Sequence, residues 1–284
     1  MQLLITDLDN TLYDWVTFFA QAFQLMVHEL SNILGCPEAE LLAQFKAVHQ
    51  SYGNSEQPFA ALDLPAVHKK FGHLTRSEQI QAIDPALHAF NRARKQHLRL
   101  YEGVETTLAR AHADGVVIVG HTEAIAINSY FRLKSLGIDR YFHHLYCLEG
   151  HWDSHPIPER ETALSPPPDF INEVPSSERK PNPRLLIDIC QQEGVRPSEA
   201  WYIGDSITRD ISMAKQAGVR AVWARYGTRY DRRLWDVLVS VTHWTDEDVS
   251  REARLREAST SIQPDFIVES FAELGPLIGL SNKH

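Results

Sequence analysis

The chain has 284 residues, a length for one large domain or two modest ones, with 43% hydrophobic and 23% charged side chains, the composition of an ordinary soluble globular protein. Lys and Arg number 28 against 37 Asp and Glu, a formal charge of −9, which argues against sequence-independent binding to a nucleic-acid polymer but leaves anionic small molecules open through the local field of a pocket. Apolar stretches such as Val116–Val119 are far too short to span a bilayer, Met1–Ile5 carries neither a basic segment nor a signal core, and Cys36, Cys147 and Cys190 are widely spaced with no CxxC pair. The expectation is a cytoplasmic protein without a disulfide framework, a zinc site or a membrane partner.

In chain order, short β-type runs fall at Leu3–Thr6, Val116–Gly120, Ala200–Ile203 and Ala221–Ala224, with another at Asp265–Val268. Continuous apolar runs of this length suit parallel strands covered on both faces. Val104–Ala113, Pro183–Glu193 and Asp210–Gly218 read as the helices between them, so the alternation predicts a doubly wound parallel α/β sheet with right-handed crossovers. Residues 13–99 interrupt it. Trp15, Phe18, Phe19, Ala22, Phe23, Met26, Leu30 and Ile33 recur at helical spacing up to Gly35. Pro37 suits a first helical turn before Leu41, Leu42, Phe45, Val48 and Tyr52, and Pro85 opens a third candidate with Leu87, Phe90 and Leu98. The predicted organisation is an α/β core of residues 1–12 and 100–284 with a helical cap inserted over 13–99. Gly53–Pro65 reads as a loop, with Tyr52, Asn54 and Phe59 as candidates to face a substrate. Glu149–Glu178, rich in proline, reads as an extended surface excursion, and Gly227–Gln263 as one or two short helices; both exceed the usual connection of about 4–6 residues.

Four elements carry chemical potential, each at the carboxyl end of a predicted strand or the start of a helix, where ligands of open α/β sheets bind. The first strand runs into Asp7-Leu8-Asp9-Asn10-Thr11. Taken alone this is either an Asp-rich turn whose threonine caps a helix or a pair of carboxylates with different tasks: Asp7 as nucleophile and metal ligand, Asp9 as general acid and base. The second strand ends in Val119-Gly120-His121-Thr122, offering a hydroxyl. Lys180-Pro181 places a cation before a helix. The run Gly204-Asp205-Ser206-Ile207-Thr208-Arg209-Asp210 follows the third of these strands. Each has a plain structural explanation by itself; all four in this order make coincidence a poor account. His121 reads as a packed histidine at a strand end, and none of His68, His73, His143 and His144 has metal spacing with a third ligand.

The ordered set resembles the haloacid dehalogenase superfamily, in particular its Mg²⁺-dependent phosphatase branch with a helical cap after the first motif. The approach to the second motif, Leu100–Thr122, and the closing Asp265–Leu274 are similar to the same family. The DLDNTLYD opening, with Tyr13 and the later Tyr52-Gly53, is similar to phosphoglycolate phosphatase and pyrimidine 5′-nucleotidase-like members. The resemblance implies Mg²⁺ at Asp7, Asp9 (through its backbone carbonyl) and Asp205; phosphoryl oxygens held by Thr122 and Lys180; attack by Asp7 to give an aspartyl-phosphate; and proton transfer by Asp9. Thr11, Ser206 and Asp210 would support this set from behind, Asp210 steadying the metal's surroundings. The implied partner is a small phosphorylated metabolite such as a nucleoside monophosphate, phosphoglycolate or a sugar phosphate. One departure stands out: position 123 is Glu where the family often has Asn or a small polar residue. Asp9 counts against carbon–halogen hydrolysis, since the dehalogenases lack that second aspartate. Phosphomutase activity and a non-catalytic binding role on the same fold are the remaining alternatives. The implied cap would open at hinges near Leu12–Asp14 and Leu98–Tyr101. Nothing in the sequence indicates the oligomeric state.

Overall fold

The computed structural model describes residues 2–57, 59–150, 165–258 and 261–280. The chain forms two compact units, one of Met1–Asp14, Leu100–Arg229 and Glu252–His284, the other of Trp15–Arg99 with Tyr230–Arg251. The helical unit thus takes in a segment beyond the 13–99 range read from the sequence.

The first unit is built on a parallel sheet of seven strands in the order β4-β3-β2-β1-β5-β6-β7. These are β1 (Leu3–Thr6), β2 (Val117–Ile125), β3 (His144–Leu148), β4 (Ile171–Val174), β5 (Ala200–Gly204), β6 (Arg220–Ala224) and β7 (Phe266–Val268). The chain winds outwards from β1 to β4, then returns to lay β5 on the other side of β1 (Ile5 opposite Tyr202) and winds outwards again. The order therefore reverses between β1 and β5, the topological switch point at which α/β sheets bind ligands. All four residues of β1 and all five of β5 are buried, which explains their uninterrupted apolar character. Leu3, Ile5, Val119, Ala200 and Tyr202 pack with Leu186 and Ile189 of a helix at Pro183–Gln192 and with Met213 and Ala214 of a short one at Ser212–Ala217. The Pro183 helix starts as its sequence indicates: Pro183 at the first position, and the Asn182 side chain accepting from the Leu185 N–H at 3.2 Å.

Several expectations need correcting. The 149–178 stretch is not wholly an excursion, since Ile171–Val174 forms edge strand β4; residues 151–164 lie outside the described part. The β3 run and the helix Ala126–Leu136 had no counterpart in the sequence reading. Strand β2 does not stop at Gly120 but continues to Ile125 after a register shift between His121 and Ile125. The helix expected from Asp210 begins at Ser212, preceded by one π-helical turn over Ile207–Ile211.

The second unit is helical: α1 (Trp15–Leu34), α2 (Glu38–Tyr52), α3 (Pro65–Phe71), α4 (Arg76–His97) and α5 (Arg232–Val241). The aromatic stripe of α1 is its core, with Phe19 stacked on Phe23 and Phe23 edge-on to Phe45 of α2. Pro85 does not open a helix. It lies inside α4, which starts nine residues earlier because Thr75 and Glu78 close a reciprocal capping box. Gly53–Pro65 is not all loop: Ala60–Asp63 makes a tight helical turn, and Pro65 opens α3. The buried His49 ring of α2 bonds through Nδ1 to the Val241 carbonyl at 2.6 Å, and the His243 N–H donates to Ser55 Oγ at 3.0 Å, which fastens the returning segment to this unit. No helix among the described residues is long and apolar enough to cross a membrane.

Candidate active site

The site grows from the carboxyl ends of β1 and β5. Beyond β1, the Asp7 N–H donates to the Ile203 carbonyl at 2.9 Å, continuing the pairing of the two strands by one residue. The chain then turns tightly, with Leu12 N–H donating to Leu8 O at 2.8 Å and Asn10 in the left-handed region at φ 60°. This turn folds Thr11 back, so that its hydroxyl donates to Asp7 Oδ2 at 2.8 Å. The other Asp7 oxygen accepts from Lys180 Nζ at 2.6 Å, and the same ammonium reaches Asp210 Oδ1 at 2.9 Å. Lys180 is 3% exposed and Asp210 2%; they are a buried ion pair, not surface decoration.

The β5 end supplies the remaining acid. Carboxylate oxygens of Asp7, Asp205 and Asp210 lie within 4.8 Å of one another. The π-helical turn after Ser206 holds Asp210 there, its Oδ2 accepting from the Ser206 N–H at 3.1 Å. Glycine at 204 is required by this approach, because a Cβ would stand 2.5 Å from the Asp210 carboxyl carbon. The Asp205 carbonyl is fixed by the Trp223 indole N–H at 2.8 Å, and the Thr11 carbonyl by the Tyr226 hydroxyl at 2.5 Å.

Three acids against one ammonium leave an excess of negative charge in a poorly solvated place. Burial, partly opposed by Lys180, pushes the Asp7 carboxyl up to about 7. Asp205 is raised well above the ordinary carboxylate range by burial and then by the charges of Asp7 and Asp210. Burial works against a charged Lys180, but Asp210 and Asp7 outweigh it and hold the ammonium charged well above its usual range. A set of hard carboxylate oxygens with uncompensated charge fits a divalent cation such as Mg²⁺, and Asp7, Asp205 and Asp210 are the residues that could hold one.

Of the residues singled out by sequence, Asp7, Thr11, Lys180, Asp205, Ser206 and Asp210 thus converge. Thr122 lies on β2, the strand next to β1, buried within the register shift, its Oγ accepting from the Ala124 N–H at 3.1 Å. The Asp9 carboxylate turns to Arg132, whose Nη1 is 2.8 Å from Oδ1. Glu123 pairs with Arg209 at 3.0 Å. His121 is buried, with Nδ1 3.4 Å from the Tyr202 hydroxyl, which itself donates to Asp210 Oδ1 at 3.1 Å. Arg132 and Tyr202 escaped the sequence reading. Arg132 had one usable signal, a charge on the apolar face of its helix beside Leu133; Tyr202 had none, since a tyrosine in a buried strand reads as core.

Comparison with known proteins meets this geometry directly. Residues 1–218 match the haloacid dehalogenase-like hydrolase family, and residues 177–274 a HAD-hydrolase-like family. The chain belongs to the haloacid dehalogenase-like hydrolases. Among relatives of this hydrolase, glyceraldehyde 3-phosphate phosphatase of Methanopyrus kandleri is 24% identical over 80% of the chain and 85% of the relative. Phosphoglycolate phosphatase of Thiobacillus denitrificans is 26% identical over 82% and 87%. Phosphoserine phosphatase of Thermus thermophilus reaches 46%, but over only 50% of this chain and 46% of the relative. A HAD phosphatase from Thermococcus onnurineus superposes with a TM-score of 0.55 at 17% identity, covering 99% of each chain, and a 2-haloacid dehalogenase from Pseudomonas syringae with 0.52 at 19%, covering 98% of each. The same hydrolase fold therefore accompanies both a phosphatase and a dehalogenase, and does not by itself choose between the two reactions.

Proposed function

We propose that the protein is a Mg²⁺-dependent phosphatase that hydrolyses the monoester of a small phosphorylated metabolite through an aspartyl-phosphate. The observation that carries this reading is the treatment of Asp7: one oxygen held by a buried ammonium, the other by a hydroxyl, beside two further carboxylates. Such a carboxylate is held from both sides, in a cluster whose excess negative charge calls for a cation. Bound Mg²⁺, held by Asp7 and Asp205 with Asp210 beside them, supplies the positive charge that lets an anionic ester approach an anionic nucleophile. Asp7 oxygen attacks phosphorus and the P–O ester bond breaks, leaving the phosphoryl group on Asp7. Asp9, which enters this step as the carboxylic acid, gives its proton to the departing oxygen and is left as the carboxylate. Water then attacks the same phosphorus, Asp9 takes a proton from it, and phosphate leaves as the Asp7 carboxylate re-forms. Lys180 and Thr122 steady the phosphoryl oxygens, while Thr11, Ser206 and Asp210 keep the acids in register. The three curated relatives named above, each a phosphatase by name, support ester hydrolysis, and their three different substrates leave the metabolite to be found by a panel screen.

The test is release of phosphate from p-nitrophenyl phosphate. Turnover that requires Mg²⁺ and is abolished in Asp7→Asn is expected; Asp7→Asn turning over at the wild-type rate removes the nucleophile and the reading with it.

A further inference from the structure

The helix Ala126–Leu136 carries a charge into the interior. Arg132 is 1% exposed, among the largest fully buried side chains of the protein, and its Nη1 donates to Asp9 Oδ1 at 2.8 Å. Its guanidinium lies 5.9 Å from the centre of the Tyr13 ring, itself fully buried. Tyr13 belongs to the same turn as Asp9: its carbonyl accepts from the Asn10 N–H at 2.9 Å, and Asp9 and Tyr13 form a β-bridge. Arg132 therefore braces the Asp9 turn from a regular helix, through the carboxylate and through the ring.

Packing alone does not explain an arginine here. Removing a guanidinium from water costs several kcal/mol, and an aliphatic side chain would fill the space without that cost. What arginine adds is a planar, rigid donor fork that fixes the orientation of a carboxylate, which a lysine ammonium does not. Asp9 remains 24% exposed, so one side of the braced group stays open to a reacting molecule.

We propose that Arg132 is the positioning residue that sets the Asp9 carboxylate for proton transfer. The inference rests on the phosphatase reading above, in which Asp9 serves the leaving oxygen and then the water. Arg132 acts through Asp9, so its loss is felt where protonation of the leaving oxygen matters, and not where the leaving group departs as a stable anion.

A double-mutant cycle decides it. Arg132→Met, Arg132→Lys, Asp9→Asn and the Arg132→Met/Asp9→Asn pair are assayed with Mg²⁺ on p-nitrophenyl phosphate and on n-propyl phosphate. Arg132→Met is expected to lower kcat on the alkyl ester about 100-fold, the scale of a misplaced catalytic group, and on the nitrophenyl ester much less, with KM unchanged for both. Arg132→Lys restores part of the loss, and in the Asp9→Asn background Arg132→Met costs nothing further. Equal losses on both esters, or a full additional loss in the Asp9→Asn background, make Arg132 merely structural and overturn the proposal. Should Arg132→Met not fold, Arg132→Lys and Arg132→Gln carry the same comparison. A wild-type protein that releases phosphate from neither ester overturns the phosphatase reading and this inference together, whereas wild-type turnover with uniform losses removes the role of Arg132 alone.

Discussion

Tyr202 donates its hydroxyl to Asp210 Oδ1, the same oxygen that receives the Lys180 ammonium. Two donors on one buried carboxylate oxygen fix Asp210 from both sides, and with it the position of the ammonium that also touches Asp7. Hydrogen bonds to charged groups contribute roughly 1.5–3 kcal/mol. Tyr202→Phe keeps the ring in the core and removes this bond along with the hydroxyl's 3.4 Å contact to His121 Nδ1, so the unfolding free energy should fall by about 2 kcal/mol and affinity for Mg²⁺ should weaken. Urea unfolding and Mg²⁺ titration of the purified variant check both; a variant as stable as wild type would show the hydroxyl to be idle.

A second brace comes from Gly227. A Cβ at this position would collide with the Asn10 carbonyl oxygen and stand 2.9 Å from the Asp205 Cβ. Both neighbours belong to the turns that carry the acids, and neither is the free end of a flexible chain. Gly227→Ala should therefore push Asn10 and Asp205 apart and lower kcat at least tenfold, since small displacements of reacting groups are costly. Mg²⁺ binding should weaken in parallel. Retention of full activity and metal affinity would mean that the turns yield without disturbing the acids.

The parts of this arrangement that the sequence made legible are those encoded locally. Asp7, Thr11, Asp205 and Asp210 lie in short motifs directly after apolar strands, and strand order alone brings their ends together. Arg132 meets Asp9 across 123 residues, and no local pattern announces such a pairing. Strand β4 was missed for a different reason: Ile171–Val174 has one buried residue in four, so an edge strand shows no apolar run. The start of α4 was misread because Pro85 is a strong local breaker, whereas the capping box at Thr75 and the buried series Ile83, Ala86, Ala89 and Ala93 carry the helix through it.

The helical unit has a pH response of its own. Burial lowers the His49 pKa to about 4, despite the bond to the Val241 carbonyl that favours the charged ring. A histidine depressed in the folded state binds its proton more readily when unfolded, so the neutral ring's contribution is fully present above about 6.5 and is lost as the pH falls to about 4. A shift of this size is worth about 3 kcal/mol. Asp7, raised to about 7, works in the opposite direction: its contribution is present below the ordinary carboxylate range and lost as pH rises towards 7. The two are separated by comparing the pH dependence of urea unfolding in wild type and His49→Gln. The difference between them should shrink by about 3 kcal/mol between pH 7 and pH 4. A constant difference would place the His49 contribution in packing alone.

Lys180 offers the sharpest energetic contrast in the core unit. It is the ammonium shared by Asp7 and Asp210, with all three side chains almost wholly buried. Removing one partner of a buried ion pair leaves the other charge unpaired, at a cost of roughly 3–5 kcal/mol. Lys180→Met should show a loss of this order by urea unfolding at pH 8 without metal, above the value of about 7 to which Asp7 is raised in the wild type. Asp7→Asn in the same background removes one of the stranded charges and should recover part of that loss, although the single Asp7→Asn change is expected to eliminate activity. The two substitutions are thus coupled in stability, by at least 1 kcal/mol on the scale of contacting residues. Strictly additive effects would mean that Lys180 does not compensate Asp7 in the folded protein, and the electrostatic account of the acid cluster would have to be rebuilt around Asp210.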